Sequence, residues 1–192
     1  MNIEKIIQSS IETKQKILND PVILEQIRET AAICIDTFRN KGKLLLCGNG
    51  GSASDAQHIA AELSGRFELD RDPLFAEALH VNSSFLTAVA NDYHFDAVYS
   101  RMVKAAGRAG DVLIGISTSG NSANVVNAIQ QANNLGMHTI AFTGEKGGKL
   151  AEISDICLKV PAENTARVQE SHILIGHIMC QLIETTLFPQ GK

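Results

Sequence analysis

The chain reads as an α/β domain built on a parallel sheet with helices on both faces. Two observations predict this. From residue 43 onward, short apolar runs alternate with helical patterns, the signature of buried parallel strands joined by helical crossovers. Glycine-rich turns also join two of these runs to the helices that follow: Cys47-Gly48-Asn49-Gly50-Gly51-Ser52 and Gly115-Ile116-Ser117-Thr118-Ser119-Gly120-Asn121-Ser122. Such turns sit where open α/β sheets bind ligands. The 192 residues, 44% hydrophobic, suffice for one full core. No linker, repeat or low-complexity segment divides them, so residues 1–192 read as a single domain. Residues 1–40 serve packing and oligomerisation, and residues 41–192 form the α/β core with its C-terminal helix.

The elements follow in order. Residues 3–40 read as two helices. Ile6, Ile7, Ile11, Ile17 and Leu18 stripe the first, and Ile23, Ile27, Ala31, Cys34 and Phe38 the second. Asp20-Pro21 marks the break, with Asp20 as N-cap and Pro21 at the first helical position. Gly42 ends the pair. Strands are expected at 43–47, 76–81, 111–116, 137–143 and 155–160, and helices at 52–65, 85–89, 95–108, 122–134 and 165–187. Gly136 stops the fourth of these helices, and 144–148 is a turn. The N-terminal pair cannot fill a core alone. Its stripes are expected to pack on the domain and on a second subunit, in a homo-oligomer of closed symmetry.

Composition narrows the function. A net charge of −4 with no basic block argues against nucleic acid. The absence of Trp and the scarcity of Tyr remove a stacking platform for single strands. No apolar run is long enough for a membrane span, and the N-terminus lacks the pattern of a secretory signal. Cys34, Cys47, Cys157 and Cys180 are widely spaced, without a C-x-x-C pair, and read as free thiols of a cytoplasmic protein.

The first glycine turn offers backbone N–H groups to an anion at a helix N-terminus. One turn on, His58 and Glu62 share a helix face at i and i+4. The second turn brings four hydroxyls to another helix N-terminus without the lysine of a P-loop. Hydroxyls, N–H groups and a helix dipole suit a sugar phosphate; the plain alternative is an N-cap turn with Ser122 as cap. A strand order of 2-1-3-4-5 would place both turns in one crevice. The C-terminal helix carries Gln169, Glu170, His172 and His177 among buried-type apolar residues. These are either satisfied core groups or, for Gln169 and a histidine, partners of His58 and Glu62 around a metal such as Zn²⁺. Spacing does not decide between His172 and His177. Asn91-Asp92 is either a helix-end turn or a source of contacts to sugar hydroxyls. Arg66 pairs most simply with Glu62 at i, i+4. His80, His94 and His138 lack clustered partners and read as structural. The charged loop at 68–73 is a candidate mobile cover.

Together, C-G-N-G-G-S-x-x-D-A-x-H-x-A-x-E-L, G-I-S-T-S-G-N-S-x-N-V and R-V-Q-E-x-H-I-x-x-x-H resemble the phosphoheptose isomerases of the sugar isomerase (SIS) domain family over nearly the whole chain. The second motif alone indicates only an SIS domain. The resemblance implies a three-layer α/β/α sandwich with a five-stranded parallel sheet, the flavodoxin-like order 2-1-3-4-5, and an N-terminal helical pair. It implies a homotetramer with active sites near subunit interfaces. The implied reaction converts D-sedoheptulose 7-phosphate to D-glycero-D-manno-heptose 7-phosphate, for lipopolysaccharide core or related surface glycans. By matched position, His58, Glu62, Gln169 and His177 would hold one Zn²⁺ per subunit, and Glu62 and His177 would be the acid/base pair. Asn49, Gly50, Gly51, Asn91, Asp92 and Gln169 would contact the sugar. Ser117, Thr118, Ser119 and Ser122 would hold the phosphate. Relatives of other classes share the domain: one binds the replication initiator, and others bind sugar phosphates as regulators. The initiator-binding relative lacks the glutamate and the final histidine. Here both Glu62 and His177 are present.

Overall fold

Five strands, β1 (Leu44–Gly48), β2 (Ala76–Ala78), β3 (Val112–Ile116), β4 (His138–Gly144) and β5 (Ile156–Val160), run parallel in the order β2-β1-β3-β4-β5. They belong to a computed structural model that describes residues 2–189. Every residue of β1 and β3 is buried. Successive side chains go to opposite faces. Leu44, Leu46 and Ile114 therefore pack with Ile27, Ile59 and Cys180, whereas Leu45, Cys47 and Leu113 pack with Val103 and Ile129. Both faces are apolar because both are covered, which is why these strands read as unbroken apolar runs.

The first face carries α2 (Pro21–Arg39), α3 (Gly51–Ser64) and α8 (Thr165–Leu187). The second carries α4 (Ser83–Asp92), α5 (Val98–Ala106), α6 (Ala123–Asn134) and the single turn α7 (Leu150–Ile153). Helix α1 (Ile3–Leu18) lies outside, tied to α8 by Ser10 Oγ donating to Glu170 (2.7 Å) and Arg167 donating to the Ile6 carbonyl (2.7 Å). The Asp20 carboxylate accepts from the Val22 and Ile23 N–H groups with Pro21 as first helical residue, as expected.

Several boundaries differ from the sequence expectation, each for a local reason. The edge strand β2 stops at Ala78, after which Leu79 and His80 turn away. The strand expected from 111 starts at Val112, because Asp111 is an anchor. Its buried carboxylate accepts from the N–H groups of Lys43 (3.0 Å) and Arg108 (2.8 Å) and pairs with Lys43 Nζ. The same contact ends the preceding helix at Ala106. The 95–108 helix opens with a separate 3-10 turn, Phe95–Ala97. Helix α4 is longer than its apolar core because the Asn82 side chain caps it by accepting from Phe85 N–H. Helix α2 ends at Arg39, and the left-handed residue after it is Lys41 (φ 60°), not Gly42.

The four cysteines are free. Burial pushes the thiols of Cys34, Cys47 and Cys180 up to about 12, so they are inert packing groups. Among the described residues, no helix is long and apolar enough to cross a membrane.

Candidate active site

The first glycine turn is built by close approach. Gly50 takes φ +56°, and a Cβ on Gly48 would lie 2.6 Å from the Ser52 carbonyl oxygen. A Cβ on Gly51 would lie 2.6 Å from Gln169 Nε2, so α8 sets the Gln169 amide against the start of α3. Asn49 and Asn124 exchange two side-chain hydrogen bonds, each 2.9 Å. The Tyr99 hydroxyl donates to the Gly48 carbonyl. Asn124 falls within the G-I-S-T-S-G-N-S-x-N-V motif without a role of its own there, and nothing in the sequence singles out Tyr99. Both fix the side chain expected to meet the sugar.

Two to three turns into α3 the chemistry gathers. His58 Nε2 lies 3.0 Å from Glu62 Oε1, and His177 Nε2 lies 3.3 Å from His58 Nε2. One ligand atom from each of the three residues falls within 4.8 Å of the others. Two imidazoles and a carboxylate converging in this way form a donor set suited to a divalent cation such as zinc. Glu62 pairs with His58, so the expected Glu62–Arg66 pair is not formed. The ambiguity on α8 is also resolved. His177 faces the cluster, while His172 points into the sheet and is 0% exposed. His172 Nε2 meets the Thr143 carbonyl at 3.1 Å, and desolvation lowers its pKa to about 4. Glu170 turns outward to Arg167, Ser10 and Lys14. Gln169 precedes His177 by eight positions on α8, with its amide at Gly51.

The hydroxyl turn lies alongside, because Gly48 of β1 is in register with Ile116 of β3. Ser122 occupies the N-cap position of α6 but makes no capping bond; its hydroxyl meets Ser117 Oγ at 2.9 Å. The cap is replaced locally by the Asn124 carboxamide, which accepts from Val125 N–H at 3.0 Å. The turn is braced from β4. Gly144 N–H donates to Thr118 O (2.9 Å), Leu150 N–H to Gly120 O (3.0 Å) and Lys149 N–H to Asn121 Oδ1 (3.0 Å). A cleft of about 320 Å³ opens beside Thr118 and Ser119, bounded by Lys146 and by Thr165 at the start of α8. It flanks the hydroxyl turn rather than the His58–Glu62–His177 cluster. Asn91 and Asp92 stand exposed at the end of α4, bonded to each other (3.0 Å). Among the described residues, no hydrogen bond joins them to the cluster or to either turn.

An SIS domain model matches residues 8–144. Phosphoheptose isomerase of Clostridium acetobutylicum is 52% identical over 97% of this chain and 95% of its own. That of Sulfurimonas denitrificans is 48% identical over 98% and 97%. The chain belongs to the phosphoheptose isomerase family of SIS-domain proteins. Solved phosphoheptose isomerases agree in shape. The Neisseria gonorrhoeae structure superimposes with a TM-score of 0.89 at 47% identity, covering 95% of this chain and 97% of that one. The Francisella tularensis structure gives 0.91 at 39% identity, covering 95% and 96%. The five-stranded order and both glycine turns of this chain lie within the fold it shares with these structures.

Proposed function

We propose that this chain isomerises D-sedoheptulose 7-phosphate to D-glycero-D-manno-heptose 7-phosphate, at the start of heptose synthesis for lipopolysaccharide core or related surface glycans. The observation that carries this reading is the convergence of His58 and Glu62, on the helix that begins at the first glycine turn, with His177 of α8. In a phosphoheptose isomerase family member, that is the equipment of an aldose–ketose isomerase.

The reaction moves a proton between C1 and C2 through an enediol, and moves another between the two oxygens. Glu62 is the group suited to take the carbon-bound proton from C1 and return it at C2. His177 serves the oxygen proton or the opposite face of the sugar. Ser117, Thr118, Ser119 and Ser122 hold the phosphate together with the N–H groups at the start of α6. Asn49, Gly50, Gly51, Gln169, Asn91 and Asp92 meet the sugar hydroxyls. The paired Asn49–Asn124 amides keep Asn49 in one orientation.

His58, Glu62 and His177 fit a Zn²⁺ ion by donor type and by convergence, one ion per subunit; Gln169, the fourth ligand that the family resemblance implies, has its amide against Gly51 at the start of α3 rather than in the cluster. When bound, the ion supplies Lewis-acid stabilisation of charge on the sugar oxygens. The assembly proposed is a homotetramer, working in the cytoplasm on a small phosphorylated sugar, with neither nucleic acid nor membrane as partner.

The test is turnover of sedoheptulose 7-phosphate, followed by NMR, on metal-free and zinc-loaded protein. Zinc-dependent aldose formation is expected, and Glu62→Gln should lower kcat by about 10²–10⁴-fold, the usual span for removing a positioned base. Binding of the sugar phosphate without product would favour a regulatory module. Near-normal turnover by Glu62→Gln would remove that residue from its role.

A further inference from the structure

The charged loop read as a mobile cover is held by a buried ion pair. Arg71 Nε lies 3.0 Å from Glu184 Oε1, with the side chains 0% and 1% exposed. The Glu184 carboxylate also accepts from the N–H groups of Phe67 (3.2 Å), Glu68 (2.9 Å) and Leu69 (2.9 Å). The Arg71 guanidinium donates to the carbonyls of Glu62 (2.8 Å), Leu63 (2.7 Å), Gly65 (3.2 Å) and Asp72 (3.1 Å). The carbonyls in the last turn of a helix have no partner within it, so Arg71 caps the end of α3 that carries Glu62. Glu184 follows His177 by about two helical turns on α8, on the same side. Pinned in this way, the loop presents the Phe67 ring to the His177 ring, with centroids 5.7 Å apart. A buried ion pair is a poor way to gain stability, since apolar packing of the same volume often serves as well. Its bonds here go to the backbone on either side of the cluster.

We propose that Arg71 and Glu184 are positioning residues for the isomerisation: they lock the Glu62 end of α3 and the Phe67 ring in register with His177. This rests on the isomerase reading above. Neither side chain reaches solvent, so both act through the Glu62 carbonyl, the loop amides and Phe67.

Three variants test it. Glu184→Gln keeps the shape and an acceptor oxygen but removes the charge. Arg71→Lys keeps the charge but loses the fork. Phe67→Leu leaves the pair intact and removes the ring. Each is measured for kcat and KM separately, for amide hydrogen exchange at residues 67–69, and for Zn²⁺ affinity by chelator competition. For Glu184→Gln and Arg71→Lys, kcat should fall by about tenfold to 10²-fold with KM little changed. Exchange at 67–69 should quicken and Zn²⁺ binding weaken in parallel. Phe67→Leu should lose part of kcat while residues 67–69 stay protected. Wild-type kcat in either pair variant with exchange quickened would overturn the proposal, as would lost kcat with exchange unchanged. If Glu184→Gln does not fold, Arg71→Lys and Phe67→Leu decide in the same terms. If the wild-type chain shows no turnover, the isomerase reading fails instead; quickened exchange with unweakened Zn²⁺ binding would then sink the clamp on its own.

Discussion

His172 and His177 are five positions apart on one helix, one buried against the sheet and the other turned to His58. A step of five residues rotates the side chain by about 140°, so one meets the sheet and the other His58 of α3. The sequence could show that α8 carries a useful histidine but not which, because orientation depends on how the helix sits on β4. The His58–Glu62 pair was legible because both lie on one face of a helix that starts at a glycine turn. Arg71 and Glu184 were not, nor was the role of Asn124 within its motif, since each matters through partners distant in the chain. Burial of His172 has a pH consequence. Its folded pKa of about 4 lies below the ordinary 6.5, so the unfolded chain binds the proton first as pH falls. The stability from keeping it neutral is complete above pH 6.5 and is lost as pH drops toward 4, by roughly 3 kcal/mol. Urea midpoints measured from pH 7.5 to 4 should therefore fall less steeply in His172→Gln than in wild type. Parallel profiles would mean that His172 does not titrate this way. The sign for Glu184 runs through a different balance. Burial alone would raise its carboxyl, but the N–H groups of Leu69, Glu68 and Phe67 and the Arg71 guanidinium together hold it below the ordinary value of 4.5. The stability its ionised form contributes is present above pH 4.5 and is lost only as pH falls through that lower value. Loop protection should outlast mild acid.

Among the elements, the strand–turn–helix order was legible because apolar period changes at each glycine turn. Short pieces were less so: β2 was expected over 76–81 but has only 3 residues, and α7, with 4, is too short to show a period and was missed. The bracing of the hydroxyl turn by the β4–α7 turn was also invisible, because it is made of backbone groups. Two glycines separate its contribution from simple conformational cost. Gly50 has φ +56° and nothing within 4 Å of an added Cβ, so Gly50→Ala should cost about 1–2 kcal/mol from the left-handed backbone alone. Gly120 has φ +67°, and its Cβ would lie 1.9 Å from the Gly147 carbonyl oxygen. Gly120→Ala must pay the same conformational cost and also force the two turns apart, so its unfolding free energy should drop by clearly more than about 2 kcal/mol. On the proposed reading the turn would hold the phosphate in ground and transition states alike, so KM should rise more than kcat falls. Equal unfolding midpoints for the two variants would show that the brace contributes nothing.

At the scale of the molecule, the single chain leaves an apolar surface with no cover. Ile17 packs into the core, but Ile3 (67%), Ile7 (55%), Ile11 (53%) and Leu18 (62%) remain exposed along one side of α1, and Val22 (63%) continues the patch. Tyr93 (57%) and Phe95 (50%) stand exposed next to Asn91 and Asp92. Burying apolar side chains yields about 1.5–3 kcal/mol each when complete, so stripes of this size are the natural seams of the proposed homotetramer. The stripe itself was legible from its spacing. What the spacing could not say was that Ile17 alone turns inward, which depends on how α1 lies across α8. Association at these seams would also surround Asn91 and Asp92, which reach no other site residue of their own chain. The double substitution Ile7→Asp with Ile11→Asp places charge on the seam without touching the core. It should leave the helical signal and the domain's fold intact while lowering the mass found by sedimentation equilibrium, and turnover should fall with the assembly. A variant that keeps both the wild-type mass and wild-type turnover would show that α1 faces water in the working protein.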